Sequence, residues 1–285
     1  MRFSTHENSV IAGFANKSPR PFLVPWREAT EPIRPALIFI PGFLSEQDPH
    51  QSFEPWTTQM LSIAEEHDLA AYGLFWGAQR LRNILLSSRL ASGLLRYFSQ
   101  APTRKDAAFY LSLGLGASLS DLWRDAVLNA DGVAVASEQW LGPLDRQVIL
   151  VGHSLGARIA INVAVSGISS KILRVVAMAP AMTINNQHHY KFIADGQKFK
   201  GLVLHSKKDR VLRYLFRGGE ATTNLPLGVN GVPEEHRRYL HSVDVSRHLG
   251  RSIRHSSYAV SSASLIRTAL DECGIAELST NNRAQ

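Results

Sequence analysis

The stretch Gln147-Val148-Ile149-Leu150-Val151-Gly152-His153-Ser154-Leu155-Gly156-Ala157 decides how the rest of the chain is read. Residues 147–151 are a nearly continuous apolar run, the pattern of a strand buried on both faces in a parallel sheet. Gly152-x-Ser154-x-Gly156 follows at once, and the small and apolar residues from Ala157 to Val165 read as a helix. G-x-S-x-G by itself is common by chance; between a strand and a helix it is specific. So sharp a turn forces strained backbone angles on the serine and presents its Oγ at the sheet edge. Gly152 and Gly156 remove the Cβ atoms that would clash there. The helix start adds free N–H groups and a positive dipole end, which favour negative charge developing on an oxygen. Ser154 is therefore the candidate nucleophile. Its neighbour His153 points away on such a turn and reads as a packing or pocket-wall residue rather than a base.

Working outward, Ala36-Leu37-Ile38-Phe39-Ile40 is a second continuous apolar run, ended by Pro41-Gly42. Further strands are read at Ala70 to Trp76, Ile172 to Met178 and Gly201 to His205, with a short one at Val243-Asp244-Val245. Helical spacing covers about 53–66, 79–99, 104–140 with a break near Asp131-Gly132, and 259–272. Strands alternating with helices predict the α/β class: a mostly parallel sheet flanked by helices. The compact domain is expected over 35–278. It follows an irregular segment, 1–34, in which Phe22 to Trp26 is a short edge strand, and precedes a flexible tail, 279–285. The apolar residues between Trp76 and Leu119 make 79–140 a candidate helical cap, with ordinary helical core as the alternative.

A serine nucleophile acting on an acyl group needs donors for the tetrahedral oxygen. The backbone N–H of Leu155 is the first expected donor. The second is expected from the loop Ile40-Pro41-Gly42-Phe43-Leu44, where Gly42 permits close backbone approach; Phe43 is the preferred donor and Leu44 the next. The acid is expected after a later strand. Asp209, closing Gly201-Leu202-Val203-Leu204-His205-Ser206-Lys207-Lys208-Asp209, stands in that place, with Asp195 and Asp244 as rivals and a helix N-cap as its structural role. Among the histidines downstream, His255 begins His255-Ser256-Ser257-Tyr258 immediately before the last helix and is the expected base, with His248 next. His205, His188 and His189 read as wall or surface residues.

The 285 residues are 45% hydrophobic and 19% charged, ordinary for a soluble globular protein. The net charge of +7 is scattered and accompanied by no nucleic-acid motif, so it reads as a solvated basic surface. A preference for anionic substrates or peripheral contact with membranes is the alternative. Cys273 is the single cysteine, which excludes an internal disulfide and fits a reducing compartment. Neither a secretory signal at the N-terminus nor a run of about 20 apolar residues is present, so a cytoplasmic location is expected, with leaderless export left open. His188-His189 shows no metal-ligand spacing. Leu113-Gly114-Leu115-Gly116-Ala117 lacks the third glycine and the preceding strand of a dinucleotide fingerprint. No metal and no cofactor are expected.

With these segments in hand, the chain resembles the α/β-hydrolase superfamily. Within it, the chain resembles the little-characterised family that includes eukaryotic transmembrane and coiled-coil domain proteins. The likeness is carried by Gly42-Phe43-Leu44-Ser45-Glu46-Gln47-Asp48, by Val148 to Arg158, by Lys207-Lys208-Asp209-Arg210-Val211-Leu212, and by Val243-Asp244-Val245-Ser246 leading to His255-Ser256-Ser257-Tyr258. It implies Ser154, Asp209 and His255 as a triad, in agreement with the residue-by-residue reading. The chain departs from that family in lacking a transmembrane region. The expectation is a serine ester hydrolase, with a lipid-like acyl ester or another small ester as substrate; a catalytically silent binding module on the same fold is the alternative.

Overall fold

The structure is a computed structural model, and it describes residues 20–42, 56–77, 116–166, 171–184, 200–220, 222–249, 255, 258–261 and 263–271. Its strands are β1 (Phe22–Arg27), β2 (Ala36–Ile40), β3 (Ala70–Phe75), β4 (Val148–His153), β5 (Ile172–Met178), β6 (Lys200–His205) and β7 (Leu240–Asp244). Its helices are α1 (Trp56–Glu66), α2 (Gly116–Val135), α3 (Ser137–Leu141), α4 (Leu155–Ala164), α5 (Arg210–Gly219), α6 (Leu227–Asn230), α7 (Tyr258–Ser261) and α8 (Ala263–Asp271). The seven strands form one sheet in the order β1-β3-β2-β4-β5-β6-β7. Only β1 runs antiparallel to its neighbour; every other pairing is parallel.

The apolar runs explain the order. β2, β3 and β4 are buried at every residue, which a central parallel strand covered by helices on both faces requires. The edge strands β1 and β7 carry alternating or partly exposed side chains, as edges can. β1 pairs with β3 from Phe22↔Phe75 to Arg27↔Ala71. The short edge stretch read at Phe22 to Trp26 thus joins the sheet as β1. A half-exposed antiparallel edge needs no long apolar run, so its sequence signal is short. α1, α7 and α8 pack together, while α4 packs on β4 and β5 and is covered by α2, which also meets α5.

The break expected near Asp131-Gly132 does not occur; α2 runs unbroken to Val135. The physical reason lies across the helix interface. Arg158 and Asn162, the polar pair one turn apart on α4, both reach Asp131. Arg158 grips it through two bonds, Nε to Oδ1 and Nη2 to Oδ2, each 2.8 Å, and Asn162 Nδ2 donates to Oδ1 at 3.0 Å. Arg158 Nη1 also donates to Glu220 Oε1 at 3.1 Å, tying in the end of α5. Asp131 serves the interface rather than a turn, and such a fork-on-carboxylate pair is a strong, directional contact. The candidate cap over 79–140 lies outside the described residues up to position 115. Within α2, Trp123, Ala126, Val127, Ala130, Val133 and Ala134 are core residues. Among the described residues no helix is long and apolar enough to cross a membrane.

Candidate active site

β4 ends at His153, and α4 begins at Leu155, so Ser154 is the whole turn. Its φ is 57° and ψ −118°, in the left-handed half of the backbone map that side chains other than glycine rarely enter. Such a conformation costs roughly 1–3 kcal/mol and persists only when its surroundings hold it. They do so here from three directions. Ser154 N–H donates to Met178 O at 2.9 Å, and Ser154 O accepts from Ala157 at 3.1 Å, Arg158 at 3.2 Å and Ala181 at 3.2 Å. As the first residue of α4, Leu155 carries an N–H with no acceptor within its own helix, one of the free donors of a helix start.

The glycines are explained by what surrounds them. A Cβ on Gly152 would meet Gly156 O at 2.5 Å, and one on Gly156 would collide with the carbonyl oxygens of Ile40 and Pro41. β2 lies beside β4 with Ile40 opposite Gly152, which brings the Pro41-Gly42 loop against the turn. A Cβ on Gly42 would stand 2.8 Å from Ser154 Cβ and 2.9 Å from His153 O. Trp76, fully buried, donates from Nε1 to Pro41 O at 3.0 Å and pins that loop. Gly42→Ala is therefore expected to push on the serine itself. Steady-state kinetics should show kcat falling by on the order of 10²-fold, the cost of about 1 Å of misplacement. The preferred oxyanion donor Phe43 and the alternative Leu44 lie outside the described residues.

Asp209 follows β6, 1% exposed, and performs two tasks with its two oxygens. Oδ1 accepts from Leu212 N–H at 3.0 Å, capping α5. Oδ2 stands 2.7 Å from His255 Nδ1. The carboxylate can only accept, so Nδ1 carries the proton and the other ring nitrogen, Nε2, is left unprotonated in the neutral ring. The structure thus brings Asp209 and His255 together. Of the rivals, Asp244 is exposed and its Oδ1 accepts from Ser246 N–H at 2.9 Å; His248 is exposed. Asp195, His188 and His189 lie outside the described residues. Among those described, no group of three or more histidine, cysteine or acidic side chains could hold a metal ion.

His153, read from the sequence as a packing or pocket-wall residue, is packed here and also holds a hydrogen bond. Its Nε2 lies 3.0 Å from the backbone oxygen of His255, so Nε2–H is the donor. The ring packs at a tilt between Trp56, centroids 5.0 Å apart, and His255, 4.6 Å apart. Nδ1 is buried without a hydrogen-bond partner. Burial above all, with the nearby His255 ring adding to it, holds the pKa of His153 well below the ordinary histidine value and keeps the ring neutral. The tautomer that donates from Nε2 thus anchors the chain at the histidine that meets Asp209. Nothing in the local sequence marks this role.

His153→Phe should leave the His255 carbonyl unpaired and loosen that residue. Expected is a fall in kcat on the order of 10²-fold with KM little changed, while His153→Gln, which keeps a donor near the Nε2 position, recovers most of it. The pH dependence of stability has a definite sign. Below about pH 6.5 the unfolded chain binds a proton at this position that the native site resists, so stability falls with falling pH, by up to about 1.4 kcal/mol per unit. Chemical denaturation at several pH values should give a shallower slope for His153→Gln than for the native chain.

No protein-family model matches the chain, and no curated protein matches it. Solved structures do. Est1E from Butyrivibrio proteoclasticus is similar over 93% of this chain and 94% of its own, at 11% identity and a TM-score of 0.42. Alpha/beta hydrolase domain-containing protein 10 from mouse is similar over 90% and 94%, at 14% identity and a TM-score of 0.43. An esterase from Pyrococcus furiosus is similar over 95% and 96%, at 10% identity and a TM-score of 0.42. The mostly parallel sheet with its antiparallel edge and the strand–serine–helix turn on a central strand define an α/β-hydrolase fold.

Proposed function

We propose that this chain is a serine hydrolase that cleaves carboxylic esters through an acyl-enzyme. The observation that carries the reading is the buried Asp209 paired at 2.7 Å with His255 in a fold whose strained turn carries Ser154. In this reading His255 Nε2 takes the proton of Ser154 Oγ as that oxygen attacks the ester carbon. Asp209 stabilises the imidazolium and fixes its tautomer. The N–H of Leu155 and one from the loop after Gly42, Phe43 in the preferred assignment, receive the oxyanion. The imidazolium then protonates the departing alkoxide, and a water activated by the same histidine releases the acid.

The acyl group proposed is lipid-like, a reading supported by the apolar residues between Trp76 and Leu119. The resemblance to the family of eukaryotic transmembrane and coiled-coil domain proteins supports the same triad. The lone cysteine supports a cytoplasmic setting. The test is a series of p-nitrophenyl esters of increasing chain length, assayed with the native chain and with Ser154→Ala. Turnover that rises with chain length and disappears in the variant supports the reading. A native chain that turns over none of the series and resists fluorophosphonate labelling is a binding module instead.

A further inference from the structure

One step along the sheet from Asp209, a cavity of about 330 Å³ opens where β6, β7 and the segment after α6 meet. Its lining includes His205 at the end of β6, Lys207, Asn230, Arg237, and Ser242 and Asp244 of β7. His205 is only 7% exposed, and its Nδ1 is buried with no hydrogen-bond partner. The ring also meets the backbone of Val229. A buried polar atom without a partner is disfavoured, so a ligand in the adjoining cavity that supplies one would be favoured. The backbone is drawn in tightly here. Gly231 has φ +74°, and a Cβ on it would stand 2.6 Å from Ser242 Oγ and 2.7 Å from His205 Nε2. Ser242 Oγ accepts from Val232 N–H at 3.1 Å, which leaves its own proton to donate. Two permanent cations, Lys207 and Arg237, share the lining with one carboxylate, Asp244; Arg237 Nε donates to Val232 O at 3.3 Å, and Asp244 Oδ1 is engaged by Ser246 N–H.

We propose that this cavity is an oxyanion site that takes a phosphate group, held by Arg237, Lys207 and the His205 ring. The inference goes beyond the proposed ester hydrolysis and does not rest on it. The donors available, a guanidinium, an ammonium, an amide and a hydroxyl, suit the several acceptor oxygens of phosphate. The groups facing His205 set its response. Burial holds its pKa below the ordinary histidine value, and Lys207 and Arg237 add to that; Asp244 and the backbone of Val229 oppose it. His241, also in the lining, is exposed. A dianion reverses the balance and draws a proton onto the ring, so binding takes up protons. For an anion whose charge is fixed across the range, such as sulfate, affinity then rises as pH falls, by up to about tenfold per unit.

Calorimetry on the full chain carrying Ser154→Ala, with sulfate and inorganic phosphate at low ionic strength, tests this apart from catalysis. Sulfate keeps its charge across the range, so proton uptake on its binding, read in two buffers of different ionisation enthalpy, belongs to the protein. Expected are saturable binding of both ions, proton uptake that disappears in His205→Gln, and affinity lowered about tenfold in Arg237→Gln. Lys207→Gln, an exposed change that leaves the fold alone, should weaken binding as well. Glycerol 3-phosphate, and phosphatidylcholine vesicles with or without phosphatidic acid, separate the sources. Retention on the acidic vesicles that needs Arg237 makes the ligand a lipid headgroup; binding of glycerol 3-phosphate without such retention makes it a soluble phosphate. Absence of saturable binding, or binding indifferent to both Arg237→Gln and Lys207→Gln, overturns the site while leaving the esterase reading untouched.

Discussion

Ser154→Ala is expected to lower kcat for the preferred ester by about 10⁶-fold, the loss that follows removal of the nucleophile in a serine hydrolase. The residual rate would come from substrate binding and the oxyanion donors, which the substitution does not touch. The variant should also escape fluorophosphonate labelling, because the probe needs the same activated oxygen. Its stability should hold. Both backbone groups of residue 154 keep their partners, Met178, Ala157, Arg158 and Ala181, and the strained φ of 57° is no worse for alanine than for serine. Equal labelling of the native chain and the variant would move the nucleophile elsewhere. A variant that unfolds would mean that the hydroxyl, and not the backbone bonds, holds the turn.

Asp209→Asn should cost about 10⁴-fold in kcat, roughly a hundredfold less than loss of the nucleophile, and it separates catalysis from folding cleanly. Asparagine caps a helix about as well as aspartate, so the bond from Leu212 N–H, and α5 with it, should survive. What changes is the second oxygen. An amide at that place no longer guarantees an acceptor for His255 Nδ1–H, so the ring can turn to the wrong tautomer, and an imidazolium loses its counter-charge. Thermal unfolding within a degree or two of the native chain, together with the large kinetic loss, is the expected pair of results. Asp209→Ala removes the cap too, and should cost about 1 kcal/mol of stability besides. Near-native turnover in Asp209→Asn would shift the role to Asp244 or Asp195.

Much of this was readable in the sequence because the physics is local. A strand buried on both faces must be apolar at successive residues, and 36–40 and 148–151 are. A one-residue turn into a helix must shed neighbouring Cβ atoms, and Gly152 and Gly156 do so against atoms now visible. Asp209 showed its place after a strand, though not that its two oxygens divide between a helix cap and a histidine. That division depends on where His255, 46 residues further on, comes to rest.

The sequence by itself determined the class of fold, the turn that carries Ser154 and a short set of candidate acids and bases. Only the tertiary structure decided the rest. It joined Asp131 of α2 to Arg158 and Asn162 of α4, within a helix that runs unbroken where the sequence suggested a break. It gave the neutral, buried His153 a carbonyl 102 residues away to hold. It gathered His205, Lys207, Arg237 and Asp244 around one cavity. In each case the partners are far apart along the chain and meet only across a sheet or between helices. Their spacing in sequence leaves no period to read, because the interaction energy depends on distance in space and not on separation along the backbone.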